Sequence, residues 1–272
     1  MYAYQVNAWG DVVGTPGAVT DLASGHYLTP GDLDPALEAI ATAGFSGVEI
    51  FDGNLLAMGH DAQAFGRRLE THGLTLAGVY SGGHFIYPDA HEEEYLRFER
   101  SIKVAAAVGA RHFVIGGGGV RVRGRLDSDY RVMAELLERV AECATVEGLI
   151  PSYHPHLGSL AENPDQIDAL FAASSIGLCA DVAHLAAGGG DPIKIMDRYA
   201  DRLTYVHLKN YIAASGTFVP LADGDLDIRA ILAAITTLGY SDWIGVELDG
   251  YPGDPGVAAV ENYKFLQEAT NA

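Results

Sequence analysis

Residues 176–210 read IGLCADVAHLAAGGGDPIKIMDRYADRLTYVHLKN. Two short apolar runs, IGLCAD at 176–181 and LTYVHL at 203–208, bracket a helix-like segment. Each run is nearly continuous in apolar character, which suits a strand buried on both faces of a parallel sheet. Each also places a titratable side chain near its C-terminal end, Asp181 in the first and His207 in the second. Two parallel strands joined through a helix form a βαβ unit.

The same rhythm extends in both directions. Further β-rich apolar runs occur at 2–9 (YAYQVNAW), 46–51 (SGVEIF), 74–80 (LTLAGVY), 111–116 (RHFVIG), 149–154 (LIPSYH) and 243–248 (WIGVEL). Between the runs lie amphipathic segments that stop at Gly44, Gly73, Gly109, Gly148 and Gly239. A glycine just past the last helical turn supplies the left-handed residue that closes a helix. Eight strands alternating with helices over 272 residues predict a single (β/α)8 barrel spanning 1–272. An open doubly wound sheet is the alternative. It fits less well, because the GGGG at 116–119 follows the fourth run and no G-x-G-x-x-G follows the first.

In such a barrel the strand C-termini meet at one face, where active sites form. The residues brought there include Asn7, Trp9, Glu49, Phe51, Tyr80, Ser81, His84, His154, His156, Asp181, His184, His207, Lys209, Glu247 and Asp249. His154, Asp181, His207 and Glu247 end four successive strands. Two imidazoles and two carboxylates without a thiolate suit one divalent metal ion: Mn2+, Co2+, Zn2+, Fe2+ or Mg2+. His156 shares a strand face with His154, and either could be the ligand while the other carries protons. His184 follows Asp181 at the start of a loop, where it would touch substrate or orient the aspartate. Lys209 would pair with an acid or steady an oxyanion. Glu49 is a candidate base or acceptor for a substrate hydroxyl. A metal beside such bases polarises a carbonyl and stabilises an enediolate, which leads to isomerisation, epimerisation or β-elimination.

Composition narrows the choice. The net charge of −19 opposes nucleic-acid binding and anionic membrane surfaces. No apolar run reaches the about 20 residues of a membrane span, and the N-terminus shows no signal peptide, so a cytoplasmic location is expected. Cys143 and Cys179 sit in apolar contexts and read as buried thiols. Arg121, Arg123 and Arg125 form a local basic patch that reads as a solvated loop, the alternative being a grip on an anionic group.

With these residues in view, the chain resembles the sugar phosphate isomerase/epimerase superfamily, the xylose isomerase-like barrels. The resemblance rests on GFSGVEIF (44–51), D-V-A-H at 181–184 through V-H-L-K at 206–209, FVPLADGDLDIRAIL (218–232) and GYSDWIGVELDG (239–250). It implies metal ligation by Asp181, His207 and Glu247. Many members carry a glutamate at the end of strand 5, whereas this chain reads Y-H-P-H-L-G-S there and places His154 in the glutamate's position. That segment and the Y-S-G of strand 3 resemble the inosose dehydratase branch. The resemblance implies a metal-dependent lyase acting on a keto-polyol or keto-sugar. Its alternatives are an aldose–ketose isomerase or ketose 3-epimerase, and a non-catalytic sugar-binding barrel or subunit of a C-glycoside-cleaving complex. An endonuclease of the related trinuclear-zinc type lacks the extra ligands and carries the wrong charge. The expected partner is a small carbohydrate or polyol, with homo-oligomerisation left open.

Overall fold

Apolar β-rich runs become strands of three to nine residues, the staves of a barrel in the computed structural model, which describes residues 1–10, 20–21, 25–59, 62–249 and 251–270. The strands are β1 (Tyr2–Gln5), β2 (Gly47–Phe51), β3 (Thr75–Gly83), β4 (His112–Gly117), β5 (Ile150–Tyr153), β6 (Gly177–Asp181), β7 (Leu203–Leu208) and β8 (Ile244–Val246). All pair in parallel in chain order, and β8 returns to β1 to close the ring. Around them run α1 (Asp34–Ala43), α2 (Asp52–Ala57), α3 (Ala62–Thr71), α4 (His91–Val108), α5 (Asp127–Val146), α6 (Pro164–Ala173), α7 (Val182–Ala187), α8 (Pro192–Arg198), α9 (Ile228–Thr237) and α10 (Pro255–Thr270). The expected (β/α)8 barrel is the fold observed. No helix among the described residues is long and apolar enough to cross a membrane.

The five expected helix-ending glycines all adopt positive φ, from 67° at Gly73 to 109° at Gly44. Most of the apolar core lies between the outer faces of the strands and the inner faces of the helices. Phe98 and Ile102 of α4, Met133 and Leu137 of α5, and Phe113 and Ile115 of β4 belong to it. Inside the ring, Ala3, Phe51, Val114, Cys179, Tyr205 and Trp243 fill the lumen, so the barrel is packed rather than open. Small residues make room for the large ones. A Cβ on Gly47 would stand 2.5 Å from the Trp243 ring.

Four local expectations change. The first run does not stay extended to Trp9. The Gln5 side chain accepts from Val6 N at 2.8 Å, and the chain turns through a 3-10 segment at Val6–Trp9. The last run pairs only over Ile244–Val246. D-V-A-H is not the start of a loop but the start of α7, because the Asp181 carboxylate caps the helix by accepting from Ala183 N and His184 N. Cys179 is buried as expected, whereas Cys143 is only half-buried, and both are free thiols. Two hairpins also arise, Thr20–Asp21 with His26–Tyr27 and Asn210–Ile212 with Thr217–Val219.

Candidate active site

Register sets the height of each side chain in the barrel. Asp181 of β6 stands opposite His207 of β7, and Gln5 of β1 stands opposite Glu49 of β2. His154 follows the last residue of β5, and Glu247 follows the last residue of β8. The structure therefore brings together all four residues expected at the strand ends. His154, Asp181, His207 and Glu247 each offer a ligand atom within 4.8 Å of the others, and all four are buried. They could hold a divalent metal. Their geometry supports the fit: His154 faces Asp181 Oδ2 through Nε2 at 3.2 Å, and Nδ1 of His207 is buried without a hydrogen-bond partner. The His207 Nδ1 stands 3.2 Å from Glu247 Oε2 and 3.8 Å from Asp181 Oδ2. His156 lies outside this group of four. With His184 and Asp249 it brings a second set of donor atoms within 4.8 Å.

A buried ammonium complicates the centre. Lys209 is fully buried, and its Nζ is 3.0 Å from Asp181 Oδ2 and 2.7 Å from Glu247 Oε2. It also donates to Asp249 Oδ2, and to His184 Nε2 at 3.2 Å. Burial alone would push the Lys209 proton off, but the Asp181, Asp249 and Glu247 carboxylates outweigh it and hold the ammonium well above its ordinary range. The effect is mutual. Burial pushes the Asp181 carboxyl up, yet Lys209 and the neighbouring imidazoles hold it well below the usual carboxylate range. Asn7 Nδ2 completes the arrangement by donating to Glu247 Oε1 at 3.2 Å and to Asp249 Oδ1 at 2.9 Å.

Glu49 lies beneath this layer and is fully buried. Its Oε1 accepts from Gln5 Nε2 at 2.8 Å, and its Oε2 faces His207 Nε2 at 2.9 Å. A carboxylate on the far nitrogen of an imidazole fixes its tautomer and ring plane. Burial lowers the His207 imidazole, but Glu49 and Glu247 together raise it well above its ordinary value.

Above the layer opens a cleft of about 670 Å3. His156 and His184 line it, as do Tyr27, Tyr80, His84, Tyr87 and Phe218, with backbone walls at Gly117–Gly119 and Leu157–Ser159. Of the four residues expected to handle protons or an oxyanion, His156 and His184 thus reach the cleft, while Glu49 and Lys209 lie below it. The His156 and His184 rings are 3.8 Å apart between centroids. His156 Nδ1 is 2.8 Å from Leu157 O and so bears the proton, which leaves Nε2 as the lone-pair nitrogen. Loss of water, then His184 and His154, push His156 down to about 3.

Of the cleft's aromatic walls, sequence reading anticipated Tyr80 but not Tyr27, Tyr87 or Phe218. Tyr27 and Phe218 ride on the two hairpins, where neither helical nor strand periodicity marks them. Tyr27 is placed by Asp52, which is buried. The Asp52 carboxylate accepts from Tyr27 N at 3.2 Å, Ser81 Oγ at 2.6 Å and Ser101 Oγ at 2.9 Å, and contacts His26 Nδ1 at 2.9 Å. The arginine patch is largely committed to internal contacts. Arg121 donates to Asp129 and Ile86 O, and Arg125 donates to Ser159 O and Glu162.

A family model described as a xylose isomerase-like TIM barrel matches residues 37–269. The chain belongs to that family. Among curated relatives, the inosose dehydratase of Clostridium beijerinckii is 26% identical over 271 residues, covering 87% of this chain and 89% of that protein. Among solved structures, an L-ribulose 3-epimerase superposes with a TM-score of 0.78 at 19% identity, covering 99% of this chain and 94% of that one. The IolI protein with a bound zinc atom superposes at 0.75 and 16% identity, covering 99% and 96%. These two likenesses concern the fold.

Proposed function

We propose that this protein is an enzyme of the lyase class acting on a keto-polyol or keto-sugar. It removes the proton α to a ketone and expels a β-hydroxyl or β-alkoxy group, in the manner of inosose dehydration. The observation that carries this reading is the division of labour at the mouth. Asp181, Glu247, Asp249 and Glu49 are buried and engaged, while the cleft lining has no carboxylate among the described residues and presents the imidazoles of His84, His156 and His184 beside the phenols of Tyr27, Tyr80 and Tyr87. A two-carboxylate epimerase needs an acid on each face of the sugar, and β5 offers an imidazole where the second acid would stand. The inosose dehydratase relatives support the same reading.

In this proposal His154, Asp181, His207 and Glu247 hold one divalent metal, which when bound would polarise the ketone and acidify the adjacent C–H. His156 takes the α-proton at Nε2. The role rests on position: Nε2 is the free nitrogen of a ring that lines the cleft, and the same nitrogen passes the proton to the leaving oxygen. His184 orients the substrate hydroxyls beside it. Glu49 positions His207 rather than meeting substrate. Lys209 balances the carboxylates around it, its Nζ facing the Phe218 ring at 4.9 Å.

Mass spectrometry tests the reading. Protein loaded with Mn2+ or Co2+ is offered inososes, 3-keto-glucosides and free ketoses in deuterated water. A product lighter by water or by an alcohol is expected. A product unchanged in composition except for one deuterium would replace the lyase with an isomerase or epimerase.

A further inference from the structure

The cleft is larger than one sugar ring requires. A six-carbon keto-polyol has twelve non-hydrogen atoms. At a water molecule's share of about 30 Å3 for each, it fills at most about 360 Å3. The cleft offers about 670 Å3. The cleft therefore has room for more than a ring seated at His156 and His184.

Besides its imidazoles the cleft has a built aromatic feature. Tyr87 is 41% exposed and lines the cleft. Its ring carries the Arg121 guanidinium at 5.1 Å from the centroid. That guanidinium is locked: Nε lies 3.0 Å from Oδ1 of the buried Asp129, and Nη2 lies 2.7 Å from Ile86 O. An exposed aromatic ring backed by a fixed cation is a rigid platform at low entropic cost. Val120, 39% exposed, adds apolar surface beside the glycine wall. Among the described residues lining the cleft none is lysine or arginine, so no permanently charged side chain lines it to pair with a phosphate.

We infer that the substrate is an unphosphorylated keto-glycoside whose second ring lies on the Tyr87 platform. This rests on the reading that the keto ring itself sits at His156 and His184. The chemistry recognised is a flat apolar ring face, which either an aryl aglycone or a second sugar supplies. In the elimination, the C–O bond to that second ring breaks as the α C–H electron pair forms the C=C bond. The departing oxygen takes the proton, leaving an unsaturated ketone and an alcohol or phenol.

Calorimetry on the metal-loaded protein tests the platform without needing turnover. The probes are phenyl β-D-glucopyranoside and cellobiose, each compared with methyl β-D-glucopyranoside, and none carries the ketone. At least one two-ring probe is expected to bind about tenfold tighter than the methyl glycoside, and the better one identifies the ring. Tyr87→Ala should erase the difference, and Tyr87→Phe should keep it. Because Tyr87 is a surface residue, the fold should survive both changes. Equal affinities, no measurable binding of either two-ring probe, or a preference that persists in Tyr87→Ala would overturn the inference. Failure of the lyase reading shows separately, in the product masses.

Discussion

Glu49 and Lys209 illustrate how burial assigns roles that residue type leaves open. Both looked able to meet substrate, and both lie beneath the cleft. Glu49→Gln keeps the shape and removes the charge that faces His207 Nε2. Losing such an outer partner costs about 10–100-fold in metal affinity or activity. Titration of the variant with Mn2+ should show that loss, with kcat falling and KM little changed. Lys209→Met leaves the Asp181, Glu247 and Asp249 carboxylates without their shared cation. Removing one partner of a buried ionic group costs about 3–5 kcal/mol. Urea denaturation should show that loss in metal-free protein. Added Mn2+ should recover part of it by supplying a substitute cation, and no recovery would argue against a metal among these acids.

Elements decide how the cleft is walled. β3 and β4 lie side by side, and Tyr80 of β3 reaches across Gly116 of β4. A Cβ on Gly116 would fall 1.8 Å from the Tyr80 hydroxyl. Gly116→Ala must therefore push the ring aside, at the about 1–3 kcal/mol typical of overpacking. Tyr80 also stands edge-on to His154 at 5.4 Å, so the shift reaches the candidate ligand. The expected result is a lower urea midpoint together with reduced turnover, and an unchanged midpoint would show that the ring relocates freely. The helix stops and the apolar strand runs were legible in the sequence because glycine caps and two-sided burial leave local marks. The turn at Val6–Trp9 and the helix after Asp181 were not. Each depends on a polar side chain choosing a backbone partner, Gln5 on Val6 N and Asp181 on Ala183 N and His184 N.

On the scale of the whole molecule, the two ends of the barrel do different work. At the end opposite the cleft, Arg111 forks onto Asp242, which also accepts from Trp243 N at 2.9 Å and faces His112 Nε2 at 3.3 Å. Burial pushes the Asp242 carboxyl up, but Arg111, Trp243 N and His112 prevail and bring it down to about 2. A carboxyl lowered on folding contributes stability above its unfolded value, near 3.8, and that contribution is lost as pH falls through about 2. Asp242→Asn should flatten the acid limb of the melting-temperature profile between those values. The effect should be about 1–2 kcal/mol, allowing for the solvent around the exposed Arg111. A variant whose acid limb matches the parent would show that Asp242 gains nothing on folding. By itself the sequence determined the barrel, its strand order and the convergence of His154, Asp181, His207 and Glu247, because the period of apolar runs fixes strands and a closed parallel ring brings their ends together. Tertiary structure alone decided that Lys209 and Glu49 are buried, that Asn7 and Asp249, expected only at this face, bond to each other and to Glu247 and Lys209 respectively, and that Tyr27, Tyr87 and Phe218 wall the cleft. Those outcomes depend on depth and on loop packing, which no local pattern encodes.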